Sequence, residues 1–132
     1  TIKIEVPDFT ESAKLVISPS TPPRDKAVAL RHIFGSNEAF WATHYEGWTQ
    51  DNFRKILKLY GFTNIKIETS TYMATRNITV TAKKGLLGLN YKKVDSAARK
   101  YLKEFTVNDS EFEISLLEIW MSEFDEQFKK IT

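Results

Sequence analysis

Apolar and polar positions alternate from the first residues. Ile2, Ile4 and Val6 are interleaved with Lys3 and Glu5 until Pro7 stops the run, which predicts a half-buried strand over Thr1–Val6. Asp8 suits the N-cap of a short helix, Phe9 to about Ile17, in which Phe9, Ala13 and Val16 or Ile17 share a face. Residues 18–26, SPSTPPRDK, hold three prolines and no apolar residue and read as a loop. A second short helix follows over Ala27–Phe34, with Ala27, Leu30 and Phe34 inward and Gly35 ending it.

The period then disappears between Gly35 and Gly47, where Phe40, Trp41 and Tyr45 are scattered among polar residues, and the chain reads as an ordered loop. It returns after Thr49, a fitting N-cap, with Phe53, Ile56, Leu57 and Tyr60 on one helical face and Gly61 closing the helix. Two alternating runs, Asn64–Met73 and Asn77–Lys83, predict a hairpin turning at residues 74–76. Residues 85–93 form a glycine-punctuated apolar linker. Helices are then predicted over Val94–Phe105 and after the capping box Ser110–Glu113, the last with Leu117, Trp120 or Met121, Phe124, Phe128 and Ile131 as its stripe.

These elements make an α/β fold with one mixed sheet. The hairpin strands are antiparallel, and helices separate them from the first strand, which is then free to run parallel to one of them. A chain of 132 residues is one domain by size. Composition changes this picture in two ways. Cysteine is absent, which removes disulfides and thiolate chemistry; with no export signal in the sequence this fits a cytoplasmic protein. No apolar run reaches the roughly 20 residues that cross a bilayer, so no membrane partner is expected. Charge is divided: residues 1–104 carry 17 Lys and Arg against 10 Asp and Glu, whereas residues 105–132 carry 2 against 7. An acidic last helix docking on a basic body of its own or a neighbouring chain is one reading and a solvated helix face is the other.

The densest chemistry lies in residues 30–62, which hold both histidines and two of the three tryptophans. His44, in the aromatic loop, is the candidate general base or polar contact, because an imidazole titrates near neutrality. The commoner role of a loop histidine is to hydrogen-bond its neighbours. Arg31 and His32 suit an anionic substrate group, or the carbonyls at their own helix end. Trp41, Tyr45 and Trp48 suit the walls of a substrate pocket, or anchors of the loop to the core. Two histidines without a supporting carboxylate cluster argue against a metal site. The acidic residues of the last helix, Glu113, Glu118, Glu123, Asp125 and Glu126, read as a solvated face, and Lys83, Lys84, Lys92 and Lys93 beside Tyr91 are too few to argue for nucleic acid.

A strand ending in EVPD, then RHIFG, a loop bearing histidine and aromatics, GWT, an amphipathic helix ending LKLYGF and a final β-hairpin together resemble the C-terminal half of class I S-adenosylmethionine-dependent methyltransferases. They are similar above all to the predicted methyltransferases that carry an RH-[IL]-[FY]-G segment. The resemblance spans about residues 1–84 and implies a partial Rossmann-like sheet: the first strand corresponds to the fifth of that fold and the hairpin to the sixth and seventh, the seventh lying antiparallel between the other two. It further implies direct methyl displacement at the sulfonium carbon, with Arg31, His32, Trp41, His44 and Tyr45 near an unidentified acceptor.

The family's glycine-rich cofactor turn is absent, since no G-x-G occurs anywhere in the 132 residues. The expectation is therefore the substrate-side half of such an enzyme, a piece of a longer chain or a shortened relative, inactive alone. Residues 1–84 would form the methyltransferase-like part and residues 85–132 a helical extension packed on it. The alternative is a non-catalytic module that assembles through its sheet edge or last helix, as a homodimer or on a partner.

Overall fold

The computed structural model describes residues 1–86 and 90–131. Its elements are β1 (Ile2–Pro7), α1 (Phe9–Ile17), α2 (Pro23–Phe34), a 3₁₀ turn (Phe40–Ala42), α3 (Gln50–Leu59), β2 (Phe62–Tyr72), β3 (Thr75–Lys84), α4 (Tyr91–Lys103) and α5 (Glu111–Ile131). They fall into two compact units, residues 1–58 with 62–85, and residues 59–61 with 86–131 among those described.

The sheet of the first unit has the order β1-β3-β2. Both pairings are antiparallel, so the sheet is not mixed as expected: β3 stands between the two strands that run the same way, and these never meet. Register explains why one face alone is apolar. Ile4, Val80 and Ile67 are aligned across the three strands, as are Val6, Ile78 and Thr69, whereas the opposite face aligns Lys3, Thr81 and Lys66 and then Glu5, Thr79 and Glu68. Ile78, Val80 and Ala82 are completely buried under Phe53 and Leu57 of α3, with Trp48, Ile2, Val6 and Ile67 packed around them. Burying three such central-strand side chains on one face contributes several kcal/mol at roughly 25 cal/mol per Å² of apolar surface.

Several boundaries move, each for a local reason. α2 begins at Pro23, four residues earlier than the sequence suggests, because proline at the first helical turn lacks only an N–H that the helix would leave unbonded. β2 starts at Phe62 and absorbs Asn64 (φ 50°) in an irregularity between Thr63 and Lys66. The hairpin turns on two residues, Met73 (φ 51°) and Ala74, instead of on residues 74–76, and Tyr72 pairs with Thr75 across it.

In the second unit α4 and α5 form an antiparallel helical hairpin. Asn90 caps α4 by accepting from the Lys93 N–H at 3.0 Å. Ala98 packs with Leu117 and Met121, flanked by Leu102, Trp120 and Phe124, while Arg99 grips Glu118 with two bonds, at 2.5 and 3.2 Å. The capping box is half formed. Ser110 Oγ accepts from the Glu113 N–H at 3.4 Å, but the Glu113 carboxylate reaches the Val107 N–H instead, and Asn108 takes the Ser110 N–H. The expected apolar crossing at residues 85–93 lies partly outside the described residues, at Leu87, Gly88 and Leu89.

Candidate functional site

β1 and β2 point the same way, and both end where β3 begins. At that end Pro7 pairs with Asn77 and Tyr72 with Thr75. Both histidines are gathered there.

His32, in the last turn of α2, fastens that helix to the start of β3. Its Nε2 lies 3.0 Å from the Arg76 carbonyl and 2.8 Å from Asn77 Oδ1. Asn77 donates its amide N–H to Glu5 Oε1 at 3.3 Å, so its oxygen faces the ring and Nε2 carries the proton. This makes His32 a clamp between helix and sheet.

α2 ends at Gly35, whose φ of 89° reverses the chain and whose N–H bonds Arg31 O at 2.8 Å. Gly35 then bridges to Thr43. A Cβ at Gly35 would lie 1.9 Å from the Ala42 carbonyl oxygen, so the loop closes over this residue only because it has no side chain.

His44 completes the closure. Its backbone N–H donates to Phe34 O at 3.0 Å, and its Nδ1 faces the carbonyls of His32 at 3.0 Å and Ile33 at 3.2 Å. Carbonyls only accept, so Nδ1 holds the proton, and the exposed ring presents the lone pair of Nε2, which has no partner among the described residues. The ring thus caps α2 and leaves Nε2 outward.

The aromatics divide. Trp48 is half-buried and stacks on Phe53 with centroids 4.3 Å apart and 26° between planes; its carbonyl accepts from the Phe9 N–H. It belongs to the core and not to a pocket wall. Trp41 and Tyr45 remain 69% and 86% exposed, and they line none of the described cavities that the chain forms. Neither is an anchor of the loop. That task falls to Ala42, which is buried, and to the Thr43 hydroxyl, which donates to Asn37 Oδ1 at 2.9 Å.

Arg31 opens onto a cavity of about 620 Å³ between α2 and the β2–β3 turn. Arg24 and Val28 share that wall, and Tyr72, Met73 and Ala74 face them. Arg24, Tyr72 and Met73 were not candidates from the sequence. The signal was present, since residues 24, 28 and 31 are spaced i, i+4 and i+7, but it becomes visible only when α2 starts at Pro23.

The residues do not fit S-adenosylmethionine. β1 passes through Pro7 directly into Asp8, whose Oδ1 caps α1 by accepting from the Glu11 N–H at 3.1 Å, and no glycine intervenes to let a ligand near the backbone. Among the described residues no three His, Asp or Glu side chains cluster as metal ligands, and no helix is long and apolar enough to cross a membrane. No protein-family model, curated protein or solved structure matches the chain.

Proposed function

We propose that this chain is the acceptor-side part of an S-adenosylmethionine-dependent methyltransferase, built on the terminal strands of a Rossmann-like sheet. The observation that carries the reading is the position of β3, antiparallel between two co-directional strands, with the histidine-bearing end of α2 at their carboxyl ends. His44 fits an acceptor-side base, because its bonded Nδ1 fixes the ring and leaves Nε2 to receive a proton. Arg31 fits an anionic group of the acceptor; His32 holds the helix that carries Arg31 and that the His44 ring caps. The cofactor's own binding groups have to come from outside these 132 residues. A strand laid along the outer edge of β1 is the simplest way to bring them, since β1 pairs only with β3 among the described strands.

The same free edge favours a second reading, a non-catalytic module that pairs β1 with a partner or with another copy. Isothermal titration with S-adenosylmethionine separates the two, applied to the 132-residue chain and to the protein with any residues that its gene encodes ahead of Thr1. Saturable binding by the longer form, with the 132-residue chain silent, sustains the methyltransferase reading. Silence in both overturns it, and sedimentation equilibrium showing a dimer then supports the module.

A further inference from the structure

We propose that the cleft between α2 and the β2–β3 turn is a binding site for an organic anion, a compact negative group joined to a flat apolar body. The inference shares Arg31 with the methyltransferase reading, which gives it an anionic acceptor group, but it rests on the cleft itself and stands without that reading. Its volume of about 620 Å³ lies within the range of small-molecule sites. Its two walls differ in chemistry. Arg24 and Arg31 lie seven residues apart on one face of α2 with Val28 between them, and Tyr72, Met73 and Ala74 form the opposite side.

Two observations make this more than a solvated pair of arginines. Neither guanidinium has an ion-pair or hydrogen-bond partner among the described residues, although Asp25 also lines the cleft, so both positive charges are available. The facing turn also holds its apolar side chains outward: Tyr72 is 73% and Met73 81% exposed, and Met73 sits at φ 51°, a conformation that a residue other than glycine adopts at a cost. A planar ligand lying on Tyr72 and Met73 would cover that surface and bring its anionic end under the two forks. With two arginines against one aspartate, the lining favours an anion over a cation. Neither bare phosphate nor an uncharged ring would use both walls.

Phenyl phosphate is the probe, followed by amide ¹H–¹⁵N spectra of the 132-residue chain, with inorganic phosphate and phenol as half-ligands. The expected result is saturable binding, with shifts centred on residues 24–31 and 72–75 and both half-ligands weaker by about tenfold or more. Arg24→Gln and Arg31→Gln, both at exposed positions, should each weaken binding about tenfold, the loss of one charge-assisted contact. Met73→Gly removes the apolar wall while accepting the left-handed backbone, and should weaken binding in a turn that stays folded. Shifts spread evenly over the chain, inorganic phosphate binding as tightly as phenyl phosphate, or unchanged affinity in Arg31→Gln would each overturn the proposal.

Discussion

The His32 imidazole reaches Asn77 across 45 positions of sequence, its Nε2 lying 2.8 Å from the amide oxygen and 3.0 Å from the neighbouring Arg76 carbonyl. α2 is thereby fixed at the end of the sheet where β1 and β2 finish. Replacing His32 with alanine leaves Asn77 Oδ1, partly buried, without its donor, while the Arg76 carbonyl keeps the Asp8 N–H, and should cost about 1–3 kcal/mol. Urea unfolding measures it. A loss within a few tenths of wild type would mean that the helix is held by packing alone.

Gly35→Ala tests the closure of the aromatic loop. The new methyl would meet the Ala42 carbonyl oxygen at 1.9 Å on a backbone already at φ 89°, so the loop must open or α2 must lose its last turn. The expected destabilisation is roughly 2 kcal/mol or more. Amide exchange should quicken at His44, whose N–H bonds Phe34 O.

Asp8 is 1% exposed; its Oδ1 caps α1, while its Oδ2 has no hydrogen-bond partner among the described residues. Asp8→Ala removes the cap and should cost about 1 kcal/mol. Asp8→Asn keeps an oxygen for the Glu11 N–H and removes a buried charge, so it should lie closer to wild type than Asp8→Ala. The opposite order in thermal or urea unfolding would show that the charge itself is paired in solution.

The helical hairpin carries its own dependence on pH. The Arg99 guanidinium bonded to Glu118 holds that carboxyl below its ordinary value of 4.5. A group whose folded value is depressed contributes stability that is fully present above 4.5 and fades as pH falls through the lower folded value. Helix content followed by circular dichroism should therefore decline on this acid limb, less steeply in Glu118→Gln. The pair is exposed, so added salt should shrink the difference.

Local chemistry made some elements legible and long-range chemistry hid the rest. The limits of α1 could be read because Asp8 caps it and Ser18-Pro19 ends it, and those of α3 because Thr49 and Gly61 stand at its ends. The start of α2 could not, because Pro22-Pro23 looks like loop whether or not a helix begins there. The turn at Met73-Ala74 carries no glycine or asparagine to announce it. Among the candidate residues, Trp41, Tyr45 and Trp48 share a loop and a residue class, yet only Trp48 meets a core ring, Phe53. Spacing cannot separate them. His32 was legible as a polar group at a helix end, but its partners lie on a strand more than forty residues away.

The acceptor-side role of the loop depends on how His44 is held. Long-range ¹H–¹⁵N spectra of the neutral imidazoles report it directly, because the two rings should hold their protons on opposite nitrogens. His44 should show a protonated Nδ1, donated to the carbonyls of His32 and Ile33, and a bare Nε2, whereas His32 should show a protonated Nε2. A protonated Nε2 on His44, or rapid averaging of its two forms, would contradict the account by showing a ring that is neither fixed on α2 nor ready to accept a proton.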